Sequence, residues 1–304
     1  MRIVYNYWTD WGQEMQILIN GIIQGLLFAL MGVAFALVYN TTRVFHVALG
    51  AIFALAPYIY MTSLNFGLPG WLSYVPTFII CCIAGLLCEV LLHWPFSRKM
   101  APPEVHLIGS LGMFLVIIQM IVLIWGNDTQ VLRSGVDTVY TFGAIHLAKG
   151  QVYSGVMASC GLILIFVFLF AKSEVGLNFR AMADNPILLS LLGRNVRLIR
   201  TYIFLLSALA AAVASTASAL DVGFDPYGGM KAVLIGMIAT IVGGRGSFIG
   251  AAVAGLLLGI IRSQVVWYSS ARWEEAVTFI ILSLILLFRP QGLLGRKLRL
   301  EEKA

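Results

Sequence analysis

Few residues of this 304-residue chain have the types and spacing that catalysis or metal binding requires. The sequence contains no His-Glu-x-x-His zinc motif, no Gly-x-Ser-x-Gly nucleophile motif and no pair of aspartates inside an apolar run. Its four histidines, His46, His93, His106 and His146, are too scattered along the chain to suggest a metal site. We therefore expect this chain to be no enzyme and to bind no metal.

One ionisable pair lies inside an apolar run. Glu89 and His93 are four residues apart, so they lie on one face of a helix and can share a hydrogen bond. An ionisable group inside a membrane segment is a functional hypothesis by default. Because this pair is near the end of its run, we favour an anchoring role over a role in transport.

A glycine-rich run, Gly243-Gly244-Arg245-Gly246-Ser247, could be taken for a phosphate-binding loop. It lacks the Lys-Ser/Thr pair of that motif and does not follow a strand of a soluble domain. We interpret it as a tight turn between two half-helices, with Arg245 drawn to the cytoplasmic face.

Composition shows which elements must position these residues. The chain is 60% hydrophobic and 11% charged, whereas a soluble domain carries about a quarter charged residues. Apolar runs cover residues 15–42, 44–88, 105–127, 150–171, 201–220, 232–244, 246–261 and 276–288. Since a crossing needs roughly 20 residues, we predict an all-α polytopic membrane protein with about eight or nine membrane segments, some interrupted or re-entrant. Residues 1–304 form a single domain.

The charge distribution predicts the orientation of the chain. The net charge of +6 comes from basic residues that gather in loops and at the end of the chain, as the positive-inside rule requires, so it does not indicate nucleic-acid binding. The segments 95–104, 172–200 and 289–304 are predicted to be cytoplasmic. The charge-balanced segment 126–149 and the N-terminus are predicted to lie outside, and the first residues lack the features of a signal peptide.

Two short segments are faintly alike. Residues 47–52 (VALGAI) and 233–238 (VLIGMI) are separated by an odd number of predicted crossings, so a repeat would be inverted. Paired interrupted helices point to a transport path near the midplane. His46 could contact solute there or merely satisfy a carbonyl at a helix start. The predicted translocation path comprises Asn20, Gln24, His46, Gly50, Gly236, Gly243, Gly244, Gly246 and Ser247.

The polar segment 172–200 contains a compact helix signal. Asn185 can cap the helix, Pro186 suits its first position, residues 187–192 form its body, and Gly193 can end it in a left-handed turn. The helix is apolar but lies outside the predicted spans. An apolar patch in a water-facing loop predicts a docking surface for a soluble partner.

The run RAMADNPILLSLLGRNVRLIR (180–200) closely resembles the cytoplasmic coupling loop of the branched-chain amino-acid ABC transporter permeases. The opening (19–51), the run MKAVLIGMIATIVGGRGSFIGAAVAGLLLG (230–259) and the ending LLFRPQGLLG (286–295) resemble the same family. The likeness covers nearly the whole chain and is to the shorter, H-type permease subunit.

The resemblance implies a multi-pass permease of a bacterial inner-membrane importer. The partners would be a second permease, two ATP-binding cassette ATPases and a solute-binding protein. ATP and magnesium would be bound by the ATPases, and no cofactor by this chain. By position, Arg180, Ala181, Asp184, Asn185, Pro186 and Gly193 fall on the coupling loop, and Pro290, Gln291 and Gly292 on a terminal motif.

The chain departs from the family near the implied path. The family commonly has Asn-Phe-Ala-His-Gly where this chain has HVALG at residues 46–50, and an apolar residue at Arg245. The cargo implied is therefore a branched-chain or related amino acid or, as in some relatives, urea or a short amide. An ATP-independent secondary transporter, an intramembrane enzyme and a purely structural subunit are the competing readings.

Overall fold

The computed structural model describes residues 2–132, 138–142, 145–170, 174–244 and 246–295. Lys172, Arg245 and the last nine residues, 296–304, with most of the predicted cytoplasmic tail, lie outside these ranges. The elements are α1 (Arg2–Thr42), α2 (Leu49–Asn65), α3 (Gly70–Leu87), a π-helical turn (Cys88–His93), α4 (Trp94–Arg98), α5 (Pro103–Trp125), β1 (Val139–Phe142), β2 (Ile145–Ala148), α6 (Lys149–Phe170), α7 (Glu174–Asp184), α8 (Pro186–Leu191), α9 (Val196–Asp221), α10 (Gly228–Gly243), α11 (Phe248–Tyr268), a 3-10 turn (Ala271–Trp273) and α12 (Glu274–Phe288).

The predicted membrane architecture is confirmed. Within the described ranges, six helices are long and apolar enough to cross a bilayer, and α2 and α10 are apolar but shorter. With 17 residues, α2 is about 26 Å long at roughly 1.5 Å per residue, less than the ~30 Å of a bilayer core. It is shorter than a full crossing, as predicted, but it is one continuous helix through Gly50 and Pro57 and is not interrupted there. The helix α12 adds a further apolar helix.

The helix α1 runs through the centre of the bundle and packs against α6, α9, α10 and α11. Its small residues allow this close approach. A Cβ atom on Gly25 would lie 2.7 Å from the carbonyl oxygen of Leu256 in α11, and one on Gly255 would lie 2.5 Å from the Cα of Ala29. Glycine at these helix contacts lets two backbones touch, as in other membrane bundles.

Hydroxyl groups bind the central helices to one another. The Ser207 hydroxyl in α9 donates a hydrogen bond to the Ala34 carbonyl in α1 over 2.7 Å. The Thr240 hydroxyl in α10 donates to the Gly32 carbonyl in the same helix, α1, over 3.0 Å. Such bonds between helices explain why polar residues occur inside apolar spans.

The loop between α5 and α6 contains a small β-hairpin that the all-α prediction did not include. Its strands pair antiparallel, from Val139 opposite Ala148 to Phe142 opposite Ile145. The side chain of Gln16 in α1 holds the hairpin, because it accepts from the N–H of His146 and donates to its carbonyl, both over 2.7 Å. Four-residue strands have too few residues for a clear alternating pattern.

Candidate functional site

The helix α8 forms as its sequence predicts. Asn185 has an extended backbone (φ −156°), and its side-chain oxygen accepts hydrogen bonds from the N–H groups of Ile187 and Leu188, each over 3.0 Å. Pro186 occupies the first helical position. After the helix, Gly193 has a φ of +77°, so the predicted left-handed end is also confirmed.

The side chains of α8 and of Leu192, which directly follows it, form an exposed apolar surface. Ile187, Leu188, Leu191 and Leu192 are 71%, 55%, 78% and 71% exposed. Leu189, in contrast, is only 4% exposed and packs into the main hydrophobic core. We call these four exposed residues the α8 apolar face, and the buried leucine holds that face against the bundle.

The helix α7 anchors α8 and was not foreseen from the sequence. Phe179 and Met182 are buried in the core that α1 and α6 also build. Gly176 lets α7 approach α6 closely, since a Cβ there would lie 2.5 Å from the Phe168 carbonyl oxygen. The Arg180 guanidinium lies 5.5 Å from the centre of the Phe170 ring.

The predicted coupling residues therefore lie together on two consecutive elements. Arg180, half-buried Ala181 and Asp184 belong to the second half of α7. Asn185 and Pro186 start α8, and Gly193 follows its end. That an ATPase contacts these residues stays a prediction.

The first turns of α9 carry a buried ion pair. Arg200 donates from Nε and Nη2 to the two carboxylate oxygens of Glu89, the second bond over 3.2 Å. Nearby, the Arg197 guanidinium lies 4.9 Å from the centre of the Trp94 ring. The hydrogen bond that Glu89 and His93 could share on one helix face is not formed, because the Glu89 carboxylate accepts from Arg200 and His93 bonds to His46 and His106.

Three of the four histidines meet at the same end of the bundle. His46 Nδ1 lies 3.0 Å from His93 Nε2, and His93 Nδ1 lies 3.2 Å from His106 Nδ1. All three side chains are buried. The interpretation that the histidines are scattered is thus wrong for these three, and only His146, in the hairpin, is apart. His93 directs its two nitrogens at different partners, and within the described ranges no group of three potential ligands could hold a metal ion.

The loop before α2 is also held by α5. The N–H of Ala48 donates to the Ser110 hydroxyl over 2.9 Å. Sequence reasoning missed the parts played by Ser110, His106 and Arg200. The one available signal was that Arg200 and His106 are ionisable groups near the start of long apolar helices, where an unpaired polar group is costly.

Two of the predicted path residues bring the short helices into contact with their neighbours. Gly50 in α2 packs on α10, since a Cβ atom there would lie 2.5 Å from the Gly229 carbonyl oxygen. In α10, a Cβ on Gly236 would lie 3.0 Å from the Met31 carbonyl oxygen of α1. The two segments with similar sequences are adjacent, because the Cβ on Gly50 would also lie 3.0 Å from Cγ1 of Val233. The inverted repeat stays a prediction.

The described residues of the glycine-rich run connect α10 to α11, as predicted, but α11 is long enough to cross a bilayer and is not a half-helix. Gly244 and Gly246 have φ values of +107° and +77°, and the N–H of Gly246 donates to Asn40 Oδ1 over 3.1 Å. The Ser247 hydroxyl accepts from the Gly250 N–H over 2.9 Å and caps α11. Gly243, the last residue of α10, packs directly on the backbone of Gly250.

The terminal motif packs against this turn and hydrogen-bonds to the end of α10. The N–H of Leu293 donates to the Val242 carbonyl over 2.8 Å, and the N–H of Leu294 donates to the Gly243 carbonyl over 2.9 Å. Gly292, with a φ of +81°, lies against Gly244. Two motifs that were singled out separately thus form one structural unit with Pro290 and Gln291.

The remaining path residues lie in α1, toward the end of the bundle that carries the hairpin. Asn20 is half-buried and accepts a hydrogen bond from Gln16 over 3.3 Å. Gln24 is also half-buried, one turn further along. The candidates extend from the hairpin end of the bundle to the end that carries α8. Their contact with solute stays a prediction.

Comparison with known proteins identifies the class. Residues 17–286 match the family model described as branched-chain amino acid transport system, permease component. The chain is 27% identical to the high-affinity branched-chain amino acid transport system permease protein BraD of Pseudomonas aeruginosa, over 97% of this chain and 98% of BraD. It is 26% identical to LivH of Escherichia coli K12, a permease protein with the same description, over 93% of this chain and 96% of LivH.

A solved structure shares the fold. PsaBC from Streptococcus pneumoniae in complex with Fab aligns with a TM-score of 0.50 and 17% sequence identity, over 95% of each chain. The full-length matches cover α8, the turn after α10 and the central helices together. Because six helices within the described part of the chain are able to cross a bilayer, the chain is a multi-pass inner-membrane protein that works with partner subunits. It belongs to the family of permease components of branched-chain amino acid transport systems.

Proposed function

We propose that this chain forms half of the translocation pathway of an ATP-driven importer, in which a soluble ATPase grips the α8 apolar face. The observation that carries the proposal is this face: four apolar side chains are exposed on a capped helix that is anchored to the bundle. Such a surface is stable in a functioning protein when a partner covers it.

The partners that complete the importer are a second permease, two ATP-binding cassette ATPases and a solute-binding protein outside the membrane. ATP and magnesium are bound by the ATPases, and this chain binds no cofactor and performs no catalysis. The cargo is a branched-chain or related amino acid, a choice supported by the names of BraD and LivH. Urea or a short amide is the alternative, because small residues and amides rather than charges prevail among the candidate path residues.

Movement enters the membrane through α7, α8 and α9. The docking helix is short, capped at its start and tied to the core by Leu189, so it moves with the helices on both sides of it. ATP-driven closure of the two ATPases shifts α8, and α9 tilts with it. The path between α1, α2 and α10 then opens alternately to the two sides.

Two variants of the coupling segment test the proposal in the reconstituted complex. Asn185→Pro removes the cap and the N–H that donates to the Ala181 carbonyl over 2.9 Å, and proline cannot adopt a φ of −156°. Arg180→Glu replaces the cation beside the Phe170 ring with an anion. Both should insert normally into the membrane but lose solute uptake and solute-stimulated ATP hydrolysis.

A matched control is Gly112→Ala in α5, where the added methyl group meets no atom within 4 Å. It should retain normal uptake. Normal uptake by both Asn185→Pro and Arg180→Glu would refute the coupling role of α8. Uptake by this chain alone, driven by an ion gradient, would instead establish a secondary transporter.

A further inference from the structure

Five buried polar side chains connect four elements at the end of the bundle that carries α8. They are Arg200 in α9, Glu89 and His93 in the π-helical turn, His46 in the loop before α2, and His106 in α5. We call these five residues the histidine–carboxylate network. Only His46, a candidate path residue, has a part in the proposed function as developed above.

Packing of the helices alone does not require polar side chains at these positions. Taking an ion pair out of water is costly, and apolar residues of similar volume often serve stability equally well. Here Arg200 and Glu89 are both buried. The π-helical turn that presents Glu89 and His93 is a rare form of helix that occurs frequently at functional sites.

The network also lies between the two regions that a transport cycle must connect. Arg200 is in the helix that directly follows α8 and Gly193. His46 is four residues before Gly50, whose backbone touches α10. Two sets of hydrogen bonds, Arg200–Glu89 and His46–His93–His106, are joined through the backbone of the π-helical turn and lead from the docking helix to the contact between the two short helices.

The bonds have the properties that a mechanical connection needs. The Arg200–Glu89 pair is bidentate and charge-assisted, so it is strong and fixes the relative orientation of α9 and the π-helical turn. In the histidine chain, each neutral imidazole has one donor and one acceptor nitrogen. Both bonds of His93 must therefore run in the same direction, and the chain has two discrete arrangements.

We propose that the histidine–carboxylate network is a set of positioning residues that transmits the movement of α8 and α9 to the loop before α2. This inference rests on the proposed function of α8 as the docking helix. When α9 tilts, Arg200 moves Glu89 and the π-helical turn, His93 moves with them, and His46 shifts the start of α2 relative to α10. Coupling of this kind needs an element with discrete states that both sites influence.

The test measures solute molecules imported per ATP hydrolysed by the complete complex in proteoliposomes. Glu89→Gln removes the charge with little change of shape, and His93→Phe keeps a ring but removes both nitrogens. Each should lower the ratio about tenfold, within the roughly 5–150-fold range of coupling between sites, while the complex still hydrolyses ATP. Arg200→Lys keeps the charge but not the bidentate geometry. Its ratio of solute imported to ATP hydrolysed should therefore lie between the ratios of these two variants and that of the wild type.

A matched control lies at the opposite end of the bundle. Arg262 in α11 pairs with Glu274 of α12 over 3.1 Å. Its neighbour Ser263 donates to the Ile17 carbonyl of α1, next to Gln16, which contacts the hairpin. Glu274→Gln breaks a partly buried ion pair of the same kind. It should lower the melting temperature but leave the ratio of import to hydrolysis unchanged.

The outcomes separate this inference from the proposed function. If Glu89→Gln, His93→Phe and the mild Arg200→Lys all keep the wild-type ratio, or lower import and hydrolysis equally, the network is only structural and the inference is overturned. If Leu191→Ser on the α8 apolar face also leaves ATPase binding intact, the proposed function fails as well. Loss of binding in Leu191→Ser together with intact ratios in the network variants overturns the inference alone.

Discussion

The exposed leucine of α8 offers the sharpest test of the docking surface. Leu191 is 78% exposed, whereas Leu189, two residues earlier on the same helix, is 4% exposed. The two side chains have the same chemistry and the same helical environment. Only the side they face differs, so replacing each one separates docking from folding.

The expected magnitude for Leu191→Ser follows from the area that docking would cover. Fully burying a leucine contributes about 1.5–3 kcal/mol. Because Leu191 is 78% exposed, covering it in a complex contributes about 1–2 kcal/mol, most of which serine cannot supply. At 1.4 kcal/mol per factor of ten, the dissociation constant for the ATPase should rise about 5- to 30-fold.

The stability of the permease itself should hardly change in Leu191→Ser. Surface substitutions away from special features usually lie within about 0.5 kcal/mol. Leu189→Ala should show the opposite pattern, since large-to-small substitution of a buried leucine typically lowers the free energy of unfolding by about 2–5 kcal/mol. Its melting temperature should fall, although the α8 apolar face keeps all four of its side chains.

Two measurements on the purified permease in nanodiscs give the answer. Intrinsic tryptophan fluorescence on heating gives the melting temperature, and titration with the labelled ATPase gives the dissociation constant. An unchanged dissociation constant for Leu191→Ser would show that the partner does not cover this face. A fall in melting temperature as large as that of Leu189→Ala would show that Leu191 is not exposed in the protein.

Three further predictions concern helix contacts and caps. Gly50→Ala should lower the free energy of unfolding by about 1–3 kcal/mol, because its Cβ would lie 2.5 Å from a carbonyl oxygen of α10, while Gly112→Ala should be neutral by thermal melting. Gly292→Ala should destabilise more than Gly193→Ala: both have positive φ, which costs about 1–2 kcal/mol, but only Gly292 has backbone atoms in the way. Asn185→Ala should cost α8 about 1 kcal/mol and lower ATPase-coupled uptake several-fold, which Asn185→Asp should restore.

The features that could be predicted from the sequence are those that local residues determine. Asn185, Pro186 and Gly193 start and end α8 through bonds and dihedral angles within a few residues, so their pattern is sufficient. The apolar runs likewise predict the spans, because a bilayer imposes one length on every crossing. The turn after α10 follows from its glycines in the same way.

The features that could not be predicted depend on how helices approach one another. Four-residue spacing placed Glu89 and His93 on one face, but periodicity does not say which neighbour that face meets. Glu89 pairs with Arg200, which is 111 residues away in the sequence, and not with the nearby His93. The contact between the terminal motif and Gly244 could not be predicted for the same reason. It is made by backbone groups, so no polar side chain of either motif indicates it.

The histidine–carboxylate network could have been predicted from the depth at which each of its residues lies in the membrane. Charge patterning already placed the C-terminal end of the third crossing, the start of the fourth and the start of the sixth at the cytoplasmic side. His93, His106 and Arg200 stand at those positions, and each must find a hydrogen-bond partner because an unpaired polar group in an apolar bundle is costly. Residues of equal depth are the partners within reach. In a membrane protein of this class, buried contacts between helices are therefore better predicted by pairing ionisable residues of equal predicted depth than by their spacing within one helix.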